Sequence, residues 1–101
     1  MIVYNITTNV SWTIHDKWLL WLKEEYIPEM LATNCFYESR VLRLLDVDED
    51  EGPTYAIQLH AFSTEDYQKF VAQHAAFIHR HATEKWGNEI IAFSSAMEVL
   101  H

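Results

Sequence analysis

Two stretches of the chain repeat apolar side chains every three or four residues, which is the spacing of an amphipathic helix. They are Trp12–Ala32 and Thr64–Lys85. Ser11 is placed to cap the first helix, and Ser63 or Thr64 to cap the second. Pro28 has no amide hydrogen and its ring clashes with the preceding turn, so the first helix should kink there or end within about one turn.

Four other stretches are rich in β-branched and aromatic residues, which predicts strands. They are Ile2–Val10, Phe36–Val47, Thr54–Phe62 and Ile90–Leu100. An acidic segment with Gly52 separates the second strand from the third, as in a β-hairpin. The order β-α-β-β-α-β with right-handed crossovers predicts a ferredoxin-like α+β plait. Its four-stranded antiparallel sheet would carry both helices on one face, and residues 1–101 would form a single domain.

The second face of the predicted sheet has no helix to cover it. Strand alternation assigns to it the apolar residues Val3, Leu42, Leu44, Ala56, Phe62, Ile90 and Ala92. So many apolar side chains on one face mark a contact surface rather than a face left in water. We therefore expect a homodimer, in which two sheets close into a dimeric α+β barrel.

Charge and composition exclude several classes of partner. With 15 acidic and 7 basic residues, the chain has a net charge of −8. Neither nucleic acid nor an anionic membrane surface is expected to bind it. No charged leader and no apolar run of about 18 residues is present, so a soluble, cytoplasmic protein is expected. Cys35 stands alone and is expected to be a partly buried, inert thiol rather than a nucleophile.

Histidines supply the first candidate site. On a regular helix, His74 and His81 fall in the apolar stripe of the second helix and point inward. Antiparallel helices would bring His15 to the same end of the molecule as His81. Together with Tyr26, these residues would suit an apolar ligand with one or two polar groups, or acid–base chemistry. The alternative is that each histidine is a core residue bonded to a backbone carbonyl.

A second candidate site lies on the uncovered sheet face. Alternation places there the polar residues Asn5, Thr7, Glu38, Arg40, Gln58, His60 and Glu98. Inside a closed dimer they would line the barrel, where Arg40 could hold a carboxylate ligand through two hydrogen bonds. The alternative is that these residues pair with one another across the dimer interface.

No metal and no cofactor are predicted. His74 and His81 are seven residues apart, or roughly 10 Å along a helix, and His79 falls on another face, so the three do not suit one ion. With only Gly52 and Gly87 in the chain, a glycine-rich phosphate loop cannot be built.

The third strand and second helix, LHAFSTEDYQKFVAQHAAFIHRH, resemble the dimeric α+β barrel superfamily, which includes the antibiotic-biosynthesis-monooxygenase-like and stress-responsive barrel families. The segment WLKEEYIPEML is similar to their first helix, and the resemblance extends over the whole element order. It implies the fold and the dimer. The chain also resembles a branch that is catalogued only as a domain of unknown function, which implies the fold without an activity.

One branch of that superfamily degrades haem with an asparagine on the first strand, a tryptophan ending the third and a histidine on the second helix. The resemblance places Asn5 and either His81 or His74 at two of these positions, with Phe62 in place of the tryptophan. Strand alternation, however, points Asn5 away from the helices.

Three functions are compatible with these patterns. The first is binding of a small, largely apolar ligand by a carrier or regulator. The second is a cofactor-free monooxygenase or isomerase with His74 or His81 as base and Asn5 as the orienting group. The third is a structural or protein-interaction module, which would have histidines in its core and Trp12 or Trp21 exposed.

Overall fold

A computed structural model describes all residues from 1 to 101 and has the predicted order β-α-β-β-α-β. Its strands are β1 (Ile2–Val10), β2 (Glu38–Arg43), β3 (Thr54–Ala61) and β4 (Ile90–Glu98). They pair antiparallel in the order β2-β3-β1-β4, so β2 and β4 are edge strands. The first strand has the predicted bounds, whereas β2 and β4 are shorter than predicted. The ferredoxin-like α+β arrangement is confirmed.

Each helix contains one π-helical turn, which takes one residue more than an α-helical turn. The first helix consists of His15–Trp21, the π turn Leu22–Tyr26, and Ile27–Leu31. The second helix consists of Thr64–Phe70, the π turn Val71–Ala75, and Ala76–Trp86. Each extra residue changes which later side chains face the sheet, by about 100° relative to an uninterrupted α-helix.

Two of the three predicted helix boundaries agree with the structure. Ser63 Oγ accepts a hydrogen bond of 3.1 Å from the Asp66 amide and caps the second helix. Gly87, with a φ of 55°, ends it. The first helix ends at Leu31, about a turn after Pro28. Its predicted cap is wrong, because Ser11 Oγ instead accepts from the amide of Thr13 in a turn that precedes the helix.

Both helices pack on one face of the sheet and bury a single core. The largest fully buried side chains are Trp18, Met30, Ile57, Leu59 and Phe70. They come from both helices and from β3, and β1 adds Tyr4 and Ile6 to the same cluster. Tertiary burial of these side chains, rather than helix propensity, therefore stabilises the helices. No helix of the protein has both the length and the apolar character needed to cross a membrane.

The uncovered sheet face has the predicted residues on β1 and β2 but not on β4. Val3 lies opposite His60, and Leu42 lies opposite Ala56, as alternation requires. The prediction for Ile90 and Ala92 is wrong, since they lie opposite Val10 and Thr8, which share the helix side of β1 with Ile6. Glu98 shares their side of β4 and so leaves the uncovered face too. Ile91, Phe93 and Met97 occupy that face instead and are exposed.

The connection between β2 and β3 packs against the end of β1. Trp12 donates its indole hydrogen to the Glu49 carbonyl over 2.7 Å, and Arg43 pairs with the Glu49 carboxylate at 2.6 Å. A Cβ on Gly52 would lie 1.7 Å from the Val10 carbonyl oxygen, so only glycine fits at this position. Trp12 remains half exposed, whereas Trp21 is buried.

Candidate ligand site

His79 lies between two tyrosine hydroxyls at the junction of three elements. Its Nε2 is 2.6 Å from Tyr4 Oη of β1, and its Nδ1 is 2.7 Å from Tyr26 Oη of the first helix. Both ring nitrogens are therefore hydrogen-bonded. The Phe70 ring packs near this group, with centroids 5.3 Å from Tyr4 and 6.3 Å from His79.

The two π turns bring Tyr26 and His79 together. Tyr26 is the last residue of the π turn in the first helix, and His79 follows the π turn in the second. The extra residue in the second helix directs Ile78, His79 and Ala82 toward the core, where a regular helix would direct His81. Helical turns of this kind occur frequently at functional sites.

Burial keeps this group uncharged near neutral pH. Desolvation lowers the pKa of His79 below its usual value of 6.5 and raises the pKa of Tyr4 above 10.0. Desolvation also raises the pKa of Tyr26, and the nearby Tyr4 hydroxyl and Glu29 carboxylate raise it further. A neutral imidazole has one donor and one acceptor nitrogen. One tyrosine therefore donates to His79, and the other accepts from it.

A cavity of about 200 Å³ opens beside this group, between the two helices, β1 and β4. Eight of the twelve residues around it are hydrophobic, including Trp18, Trp21, Ala82 and Ala92. Its polar groups come from Tyr26, His79, Ser94, Thr8 and Thr83. The volume is below that of a typical drug-sized site, and a cavity of about 150 Å³ suffices for benzene. The cavity therefore fits a single-ring molecule.

Of the predicted helix residues, Tyr26 alone lines this cavity. His74 is partly buried, with its ring 6.3 Å from that of Phe70. The inward orientation predicted for His81 is wrong. Its side chain is 47% exposed and lies 3.7 Å from the Glu29 carboxylate. The π turn explains the error, because the prediction counted 3.6 residues per turn through it.

His15 lies apart from both of these histidines. Its Nε2 is 2.7 Å from Tyr55 Oη, and its Nδ1 is 3.2 Å from the Asp16 carboxylate. His15 begins the first helix, whereas His81 meets Glu29 near its end, roughly 20 Å further along the axis. The prediction that His15 and His81 share one end of the molecule is therefore wrong.

The predicted polar residues of the sheet lie on the uncovered face. Asn5 and Arg40 both lie opposite Gln58, and His60 lies two residues further along β3 on the same face. Asn5 Oδ1 and His60 Nε2 are buried without a hydrogen-bond partner. Asn5 thus points away from the helices, as predicted, and shares no cleft with a helix histidine. Ligand binding by Asn5, Arg40, His60, His74, His81 and His15 stays a prediction.

His79 is the functional candidate that the helical pattern missed. The signal for it was the spacing of Phe70, His74, Ile78, Ala82 and Trp86, which recur every four residues. A strict spacing of four exceeds the 3.6 residues of an α-helical turn and favours a wider turn. No group of three or more His, Cys, Asp or Glu side chains is arranged to hold a metal ion.

Fold and site together define a small α+β protein of ferredoxin-like arrangement, with a tyrosine-bonded histidine beside an apolar cavity. Residues 1–100 match the model of a family described as a domain of unknown function, DUF4286. The chain belongs to this family. No curated protein matches the sequence.

Proposed function

We propose that the protein binds a small, largely apolar ligand in the cavity between the helices and β4. The observation that supports this most directly is the position of His79 at the wall of an apolar cavity, with Tyr26 beside it. Apolar walls with a few placed polar groups are typical of small-molecule sites. The polar groups would orient a ligand that the apolar walls retain.

Binding accounts for this geometry better than acid–base catalysis by the predicted histidines does. Neither His74 nor His81 lines the cavity, so neither is placed to act as base for a molecule inside it. Both nitrogens of His79 are already hydrogen-bonded to tyrosine hydroxyls. To act as a base, His79 would have to break one of these bonds or accept the proton by way of a tyrosine. Burial also makes protonation of His79 costly, as its lowered pKa indicates.

Toluene is a suitable probe, because Trp18 and Trp21 line the cavity and their fluorescence reports its occupancy. Ala92→Leu places a larger side chain in the cavity from an edge strand and should abolish the response. Ala96 lies four residues further along β4, on the same face but outside the cavity. Ala96→Leu should therefore preserve the fluorescence response. Equal responses from the two variants, or none from the unmodified protein, would refute the proposal.

We also propose that a second copy of the chain covers the uncovered sheet face and gives the dimeric α+β barrel. Phe62, Ile91 and Phe93 are each more than 60% exposed on that face. Exposed apolar side chains grouped in this way favour a contact surface. The unpartnered atoms of Asn5 and His60 lie among them and would gain partners from the second copy.

Light scattering after size exclusion tests the dimer. The unmodified chain should run at twice the mass of the monomer, and Ile91→Glu should make it monomeric by placing a charge on the covered face. Leu20→Glu, at an exposed position of the first helix, is the matched control and should leave the dimer intact. A monomeric unmodified protein would refute the proposal.

A further inference from the structure

Thr8 is a buried residue of the cavity wall whose hydroxyl has no hydrogen-bond partner in the protein. It lies on the helix side of β1 and is only 3% exposed. Opposite it lie Ala92 of β4 and Tyr55 of β3. The Ala92 side chain has no polar atom, and the Tyr55 hydroxyl lies 2.7 Å from Nε2 of His15 instead. A buried hydroxyl without a partner is costly, so Thr8 indicates a place where a ligand group can bond.

The other polar groups of the cavity wall are already engaged or lie toward solvent. Both His79 nitrogens and the Tyr26 hydroxyl take part in the bonds described above. The hydroxyl of Thr83 donates to the His79 carbonyl over 3.1 Å. Ser94 is exposed on the edge strand β4, where water can reach it. Among the polar residues that line the cavity, Thr8 is therefore the one that is both buried and unpartnered.

No charged side chain lines the cavity. Its twelve residues include no Asp, Glu, Lys or Arg, and burial keeps the His79 imidazole neutral by lowering its pKa. An ion placed there would lose its hydration without gaining a counter-charge, so an uncharged ligand is expected. Trp18, Trp21 and Tyr26 give the wall an aromatic surface, against which an aromatic ring can pack.

We propose that the ligand of this cavity is a small uncharged ring that carries a hydroxyl group, as phenol does, and that this group hydrogen-bonds to Thr8 Oγ1. The inference rests on the proposed ligand-binding function and specifies its ligand class. The Thr8 hydroxyl offers one proton and two lone pairs, and a ligand hydroxyl can either accept from it or donate to it. The apolar part of the ring would then lie against the two tryptophans.

Thr8 would thereby determine the specificity of the cavity. A ring without a hydroxyl would fit the same walls, but it would separate the Thr8 hydroxyl from water without giving it a partner. Such an unpaired buried group reduces affinity by about tenfold. The two kinds of ring would thus be distinguished by one hydrogen bond rather than by size.

The test compares phenol with toluene, which is nearly equal in size, by titration calorimetry. Valine keeps the branched shape of threonine without its hydroxyl. The ratio of toluene affinity to phenol affinity should therefore rise about tenfold in Thr8→Val. Comparing this ratio between variants cancels the different hydration of the two free ligands. Thr83→Val is the matched control, because Thr83 also lines the cavity but its hydroxyl donates to the backbone, and the ratio should not change.

A conservative variant and a stability measurement separate this role from a structural one. Thr8→Ser keeps the hydroxyl and should keep the ratio of the unmodified protein. In urea unfolding without ligand, Thr8→Val should not lower the midpoint, because its hydroxyl has no partner in the protein to lose. A lower midpoint, or failure of this variant to fold, would reveal a partner within the protein and would overturn the inference.

The binding results also separate this inference from the proposed function. If toluene binds but Thr8→Val leaves the ratio unchanged, the inference fails and the proposed binding function stands. If neither toluene nor phenol binds to the unmodified protein, both fail.

Discussion

Tyr26 Oη and His79 Nδ1 lie 2.7 Å apart, and this hydrogen bond joins the two helices where each departs from α-helical spacing. The bond connects the last residue of one π turn to a residue that the other π turn directs inward. Two local irregularities thus meet at a single contact, and the cavity lies beside it.

Removing the Tyr26 hydroxyl should destabilise the protein. Tyr26→Phe leaves Nδ1 of the partly buried His79 imidazole without its partner, which costs about 1–3 kcal/mol in the free energy of unfolding. Urea unfolding followed by circular dichroism measures the change. Tyr37→Phe is the control, because the Tyr37 side chain is exposed and its hydroxyl contacts only the Met1 sulfur. Equal stability of the two variants would contradict a structural role for the Tyr26–His79 bond.

Stability should fall as the pH drops below about 6.5. Burial lowers the pKa of His79 in the folded protein, so the unfolded chain, with its pKa near 6.5, takes up a proton first. Above that pH, His79 is neutral in both the folded and the unfolded state, so its contribution to the free energy of unfolding does not change with pH. Denaturant unfolding between about pH 7 and 5.5 measures the slope. His79→Gln should flatten it, and His81→Gln, at an exposed position, should not.

Deleting one residue from the π turn of the second helix should be tolerated. Gln73 is exposed within that turn, and its loss would leave an ordinary α-helix with His79 still facing the core. Deleting Arg80, which is equally exposed but lies in the α-helical part, would rotate Ala82 and Trp86 away by about 100°. Thermal unfolding and amide NMR spectra distinguish the two. If the two deletion variants fold equally well, the π turn does not determine the orientation of His79.

Replacing each of the two glycines by alanine should reduce the stability of the protein by different amounts. A Cβ at position 52 would lie 1.7 Å from the Val10 carbonyl oxygen, so Gly52→Ala must displace backbone and should remove most of the stability. Gly87 has open space around it, but its φ of 55° and ψ of −130° lie outside the regions that residues with a side chain normally adopt, so Gly87→Ala should cost about 1–3 kcal/mol. Chemical denaturation ranks the two variants. A mild effect at position 52 would show that the β2–β3 connection moves freely.

Element order could be read from the sequence because local periodicity distinguishes a helix from a strand. β1 has the predicted bounds because its alternation is clear, and the same alternation placed Asn5 correctly. β4 begins with two isoleucines, Ile90 and Ile91, so either register buries an apolar residue. A shift of one residue exchanges the two faces of a strand, and this shift put Ile90 and Ala92 on the wrong side.

The candidate site was less predictable, because one extra residue in a helical turn changes the direction of every side chain that follows it. Tyr26 could be identified as inward-facing because it continues the apolar stripe of the first helix. His79 and His81 lie beyond the π turn of the second helix, where a single extra residue exchanges their directions. The contact between Tyr4 and His79 joins distant segments, and no local pattern encodes it.

The strand order also determines when the sheet can form. β1 is a central strand, and it pairs on one side with β3 and on the other with β4, so Ile2 lies between Ala61 and Glu98. Contacts between such distant segments require large loops to close first and slow the search for the native state. A ribosome-bound chain that ends before β4 would expose one edge of β1, together with the apolar side chains of the core beside it. Folding of this protein is therefore expected to complete late, when its last strand joins its first.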